Sequence, residues 1–572
     1  MSVSRATADI ILTGANVLTM DDARPRAEAV ALAGDRLLAV GDDAAVLALR
    51  GDMTTIHALE GRTVCPGFVD AHHHFTLAAW CQLGVDLLGC RSADEAADRI
   101  ARAASTMRTG PWLYAYNYTP RRFTRGPSLT RRHLDRAAPD RPVLAMHFSY
   151  HESVVSSAGL AAAGIDRRTR DPLGGRIVKD RRGEPTGLLL ETAVGPVEAL
   201  ARTAAGAATY EGWADAAERY GQSLLAAGIT HVCDPGVDAL LEGYLRRART
   251  EVRLPLGVTM LFVSGRGLYQ PPRDRLDGPV TGERVDGVEV GALKIFADGG
   301  SRCASCAGLF ESLAGMGALA ARAARLRRPG LLLDASTPDR PTLGRDGRIH
   351  TGFLHYPPED LAALCAAASA RGFQVATHAA CDEAIGDVLA AYEHLPTGVY
   401  RHRVEHLVSL DADQARRLAN TGAIGVVQPA YIGQLGDEWD TMPAPPRLHS
   451  VPLRLLVDAG VSLAGSSDAP VAPFNPLAGM RAAVTRRTNA GHLHQPDQAI
   501  TPLEALRLWT TGAALAANRA GELGVLRAGA RADLVVLDAD PLRTPPERLD
   551  GIRVLRTIAG GKTVYVAEDG VR

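Results

Sequence analysis

Between about residue 66 and residue 510, short apolar runs of strand length alternate with helix-patterned segments, and eight such runs can be counted. This alternation constrains the fold more than any other feature. Parallel strands need a crossover, and a helix supplies it. The runs end near His74, Cys233, Phe262, Asp298, His378, His406, Gln428 and Asp468. Eight βα units predict a (β/α)8, TIM-like barrel whose chemistry sits at the C-terminal ends of its strands. The gap between the first two runs is far too long for one unit. Residues about 82–210 are therefore read as an inserted α+β subdomain. Residues about 315–349 are read as an extra insertion, with an Ala/Arg helix from Ala318 to Arg328 and then a Gly/Pro/Asp-rich stretch.

The flanks look different. Asp9 to Leu12, Ala29 to Leu32 and Leu37 to Val40 are β-type runs, with Gly34-Asp35 and Gly41-Asp42 as turn pairs. The C-terminus repeats the style in Asp533 to Leu537, Val554 to Ile558 and Lys562 to Val566. Strands at both ends of an α/β body predict one composite β-sandwich domain built from residues 1–65 and 511–572, around a barrel at 66–510. Two unrelated β appendages are the alternative.

Formal charge is −1 over 572 residues, which gives no reason to expect nucleic acid or a membrane surface as partner. The apolar run Ile10 to Leu12 is too short for a signal sequence, and no stretch nears the ~18 apolar residues of a membrane span. Eight cysteines at irregular spacing do not form a disulfide framework. Cys303-Ala304-Ser305-Cys306 is a lone C-x-x-C, a weak signal for a redox pair. A soluble cytoplasmic protein is expected, and a homodimer is compatible with the sequence.

Arginine supplies nearly all the positive charge. Of 63 basic residues only Lys179, Lys294 and Lys562 are lysine, and Lys294 lies inside an apolar run from Gly291 to Gly299. A neutral lysine amine can add carbon dioxide and become an anionic carbamate, an oxygen donor for metals, which arginine cannot do. Pairing with a buried carboxylate would explain Lys294 equally well in isolation.

The histidines shift that balance. In Asp70-Ala71-His72-His73-His74, strand alternation puts His72 and His74 on one face with Asp70 a step earlier, and turns His73 towards the helices. Two imidazoles at such spacing can grip one metal. His378 and His406 each end a later run, in register for a second metal position, and Asp468 ends the last. Two divalent ions roughly 3.5–4 Å apart need a bridging anion, which a Lys294 carbamate could provide. They lower the pKa of a shared water from 15.7 to about 7, and Asp468 can pass its proton to a leaving group.

With these residues in hand, the chain resembles the amidohydrolase superfamily, in the branch of N-substituted formamide deformylase-like proteins (amidohydrolase family 3). Asp70 to His74, Lys294 with Ile-Phe-Ala-Asp-Gly after it, His378, Glu405-His406 and Gly465 to Val471 match in order. Gly183-Glu-Pro-Thr-Gly187 and Gly524 to Leu534 match as well. The resemblance implies one or two divalent ions, usually zinc, and hydrolysis of C–N bonds other than peptide bonds. It implies His72 and His74 at the first metal with Asp468 nearby, Lys294 bridging, and His378 and His406 at the second. The chain departs from the branch at Asp298-Gly-Gly-Ser-Arg302, around His151 and in the 315–349 insertion, so the substrate is left open. Tyr116, Arg302, Tyr431 and Trp439 are candidate pocket residues, each equally explained by packing. Deamination, or a lyase or isomerase reaction on the same metals, remains an alternative.

Overall fold

The computed structural model describes the chain except residues 1–6, 107–110, 121–122, 124–127, 206–208, 267–274, 301, 326–340, 397, 441–444 and 569–572. It has a mixed α/β fold. Eight parallel strands form its centre: β1 (Phe68–Asp70), β2 (Ile229–Val237), β3 (Gly257–Phe262), β4 (Leu293–Phe296), β5 (Val375–Ala379), β6 (Arg403–His406), β7 (Ile424–Val427) and β8 (Ser462–Gly465). The first three pair as β1-β2-β3 and the other five as β4-β5-β6-β7-β8. Two contacts join the sheets. Val263, just past β3, bridges in parallel to Lys294 on β4, and Ala71 N–H donates to Gly465 O at 3.2 Å between β1 and β8.

Burial on both faces explains why these strands read as near-continuous apolar runs. Residues turned one way, such as Val375, Leu293 and Val404, join the large core shared with the helices. Among those turned the other way, Val69, Ala71, Val426 and Ala464 pack on Ala513, Ala514 and Ala516. That packing closes the N-terminal end of the strands, where Arg403 Nη1 donates to Ala516 O at 3.2 Å.

Residues from both ends of the chain share one six-stranded sheet. Thr63–Pro66 runs antiparallel to Leu534–Leu537, followed outward by Val554–Ala559 and Lys562–Val566. A four-stranded sheet from the N-terminal segment packs against it through Leu12, Val30 and Leu32.

Between β1 and β2 lies a second six-stranded sheet, in the order Gly175–Lys179, Pro185–Glu191, Glu152–Val155, Val143–His147, Leu113–Tyr118 and Val85–Asp86. Gly187 is required there. Its φ is +95°, and an added Cβ would sit 2.6 Å from Val155 O.

The insertion after β4 starts earlier than the sequence suggests. A three-stranded sheet of Ser305–Ala307, Ile349–Thr351 and Thr342–Leu343 frames a helix at Leu309–Arg325. Glu311 accepts from Gly308 N–H at 2.9 Å, which sets the helix start ahead of Ala318. Residues 326–328 of the expected helix fall outside the described residues.

The C-x-x-C reading is corrected. Cys303 is disulfide-bonded to Cys381, 78 residues away, and Cys306 is free. Because β4 and β5 are hydrogen-bonded neighbours, the loops leaving them run side by side, and this brings the two cysteines together. Among the described residues no helix is long and apolar enough to cross a membrane.

Candidate metal centre

At the C-terminal ends of the strands, His72, His74 and Asp468 offer ligand atoms that all lie within 4.8 Å of one another. His72 Nε2 is 3.3 Å and His74 Nε2 is 3.1 Å from the same oxygen, Asp468 Oδ1. The outer nitrogens of both rings are engaged elsewhere. His72 Nδ1 meets Glu405 Oε2 at 2.5 Å, and His74 Nδ1 meets Pro235 O at 2.9 Å. Those acceptors place the ring protons on Nδ1 and leave lone pairs on Nε2. Two lone pairs and a carboxylate oxygen facing one another in a buried space repel unless a cation lies among them. The donor set therefore fits a divalent metal.

His406 and His378 extend the cluster. The His406 ring centroid is 4.7 Å from that of His72 and 4.3 Å from that of His378. His406 Nδ1 contacts Gln428 Oε1 at 3.2 Å. Lys294 is completely buried, and its Nζ has no hydrogen-bond partner. His378 Nε2 also lacks one and stands 3.4 Å from Asp298 Oδ1. Such orphaned atoms are costly unless something else binds them.

Burial dominates the electrostatics. It pulls the Lys294 ammonium down to about 8 against the attraction of Glu405 and Asp468. It lowers His406 to about 4, and holds His72 and His378 well below the usual imidazole range. Burial alone would push Asp468 up, yet the close approach of His74, His72 and His406 keeps that carboxyl below its ordinary value.

Two of these positions need unusual backbone. His406 has φ +79° and Asp468 has φ +56°, in the left-handed region that non-glycine residues rarely adopt. On β6, alternation alone puts Glu405 and His406 on opposite faces. The bend at His406 brings both to the centre. Strain at ligand positions is what a functional site tolerates.

Asp70 is a correction. It does not join the cluster. Its carboxylate accepts from Ser467 N–H and Ser467 Oγ and pairs with His73 Nδ1. The strand ends at Asp70, so side-chain alternation does not carry on into the bend that holds the histidines. His73 Nε2 meets Tyr220 on the helix Tyr210–Ala226.

Of the pocket candidates, Tyr431 reaches the centre: its hydroxyl donates to Asp468 Oδ2. Arg302 donates its backbone N–H to Glu191 and pairs with Glu152. Trp439 packs against the His494 ring. Tyr116 sits half-buried in the inserted sheet, its hydroxyl pushed up by burial and by Asp86.

Residues that the reading of single strands passed over are Glu405 and Arg403. The Arg403 guanidinium grips Glu405 with two bonds, at 2.7 and 2.9 Å, and donates to Ala71 O at 2.7 Å. A buried Arg-x-Glu ahead of a strand-end histidine was the available signal. Asp298 was also missed. It accepts from Ala304 and Ala380 N–H, both at 3.0 Å, and ties the loops after β4 and β5.

A family model described as "Amidohydrolase family" matches residues 55–565. The N-substituted formamide deformylase of Arthrobacter pascens is 30% identical, with 97% of this chain and 98% of that protein aligned. Protein LONG AFTER FAR-RED 3 of Arabidopsis thaliana is 27% identical, with 98% and 92% aligned. Among solved structures, an uncharacterized metal-dependent hydrolase from Pyrococcus horikoshii OT3 superposes with a TM-score of 0.68 at 22% identity, covering 94% of this chain and 99% of that one.

Proposed function

We propose, on the premise that this chain belongs to the amidohydrolase family, that it hydrolyses the C–N bond of an N-substituted formamide or a closely related small amide. It is a metal-dependent hydrolase of carbon–nitrogen bonds in small molecules. One observation carries the chemistry: the Nε2 atoms of His72 and His74 converge on Asp468 Oδ1 with their Nδ1 atoms tied outward. In this reading the two parallel sheets are one closed (β/α)8 barrel, supported by the contacts that join β3 to β4 and β8 to β1. The termini form the composite β domain.

A divalent metal, zinc in this reading, supplies Lewis acidity that polarises the substrate carbonyl and acidifies a water molecule. His72 and His74 would hold a first ion, and His378 and His406 a second. Lys294 is suited to bridge them, because burial brings its amine within reach of neutrality. Its neutral Nζ would add to carbon dioxide and lose a proton, and the resulting carbamate would supply oxygen donors. Asp468 takes a proton from the attacking water and returns it to the departing nitrogen. The Tyr431 hydroxyl, bound to the other carboxylate oxygen, keeps Asp468 from rotating away.

The test is formate release from N-alkyl and N-aryl formamides by protein of known metal content. Activity should vanish with a chelator and return with zinc. Metal-replete protein that releases no formate from any of them would sink the substrate assignment.

A further inference from the structure

Against His378 the inserted subdomain places a histidine that none of these steps uses. The His151 ring centroid lies 5.5 Å from that of His378. Its Nδ1 side is fully engaged, with Glu191 Oε2 2.6 Å and Gly300 N 2.8 Å from that nitrogen. Glu191 is itself fixed. It is completely buried, and its Oε1 accepts from Arg302 N–H at 3.1 Å.

The ring lies directly on Gly300, where an added Cβ would come within 2.2 Å of Nε2. The imidazole occupies that place because residue 300 has no side chain. Nε2 has no hydrogen bond to any described residue, and the side chain keeps 10% of its surface exposed. A buried ring clamped at one nitrogen, with the other left open beside the cluster, is arranged to meet a bound molecule.

We propose that His151 is a substrate-contacting residue: held by Glu191 and Gly300, it makes a hydrogen bond through Nε2 to the amide being cleaved beside His378. The inserted subdomain thereby contributes directly to the reaction centre. The proposal rests on the amide-hydrolase reading.

Asparagine reaches about as far as Nδ1 and glutamine about as far as Nε2, so two variants separate the roles. His151→Asn should lower kcat/KM on N-butylformamide roughly 10- to 100-fold, the scale of one lost hydrogen bond to a reacting group. His151→Gln should retain clearly more, with metal content and Tm matching His151→Asn. Equal losses, or asparagine better than glutamine, would show a structural role through Nδ1 and overturn the proposal.

Calorimetric binding of benzohydroxamic acid to the metal-loaded variants should follow the same ranking. This readout holds even if the wild type hydrolyses no formamide, so the two readings fail separately. If the His151 variants do not fold, Gly300→Ala serves, since its Cβ must displace the ring. It should show the same loss, and wild-type kinetics and hydroxamate affinity in that variant would overturn the assignment.

Discussion

On the side of the centre formed by the ends of β1 and β8, each inward-facing group has an outward partner. His72 leans on Glu405 and Arg403, His74 on Pro235 O, and Asp468 on Tyr431. On the side formed by β4 and β5, Lys294 Nζ and His378 Nε2 are buried without hydrogen bonds, while the loops above them are tied by Asp298 and the Cys303–Cys381 disulfide. One half is organised before any metal arrives. In the other half the frame is fixed, but the functional atoms await ligands. Outward partners set ring tautomer and direction, so the first half should bind metal more tightly and resist disturbance of the second.

The largest break of that comparison is Lys294→Arg. Guanidinium stays protonated and cannot form a carbamate. Turnover should fall to the metal-free baseline, and metal analysis should show the second ion lost while the first is largely kept. Full activity in this variant would refute the bridge. Loss of both ions would refute the independence of the halves.

Asp468→Asn tests the organised half. It should depress kcat by roughly 10²–10⁴-fold with Tm little changed, the usual size of an acid–base contribution. Near-normal kcat in metal-replete protein rules out the proton relay. A ligand-only role would show instead as turnover regained with excess metal.

Glu405→Gln should act more gently on chemistry, weakening metal affinity by roughly 10- to 100-fold through His72. It also leaves Arg403 buried without its counter-charge, at a cost of about 3–5 kcal/mol. A titration showing unchanged metal affinity would separate Glu405 from the centre and leave it a purely structural partner.

The strands were legible because burial on both faces writes them as apolar runs, and because a metal cluster writes polar residues at their ends. His378 near the end of β5 and Lys294 within β4 follow from the apolar runs that hold them. Parity misplaced Asp70, where the strand stops. It also gave no reason to join Glu405 with His406, which share the centre through a left-handed bend at His406. The Cys303–Cys381 pairing depends on β4 and β5 being neighbours, a fact of topology that a local C-x-x-C hides. His151 was noticed only as a departure in the inserted segment. Its place beside His378 depends on how a separate sheet docks, which no local pattern encodes.

The smallest expected effect is a pH dependence shared by both halves. Burial holds His72 and His378 well below the usual imidazole value and His406 at about 4. In the unfolded chain these side chains titrate near 6.5. Between about pH 6.5 and 4, the unfolded state therefore binds protons that the folded state refuses, and metal-free protein should lose stability as pH falls through that window. Acidification destabilises many proteins through other groups, so the slope of wild type alone decides little. His378→Gln removes one of the depressed imidazoles, and its proton uptake on unfolding goes with it. The variant's Tm should decline less steeply than wild type between pH 6.5 and 4.5. Parallel declines would mean that His378 is protonated alike in both states, and that its side of the centre is open to water.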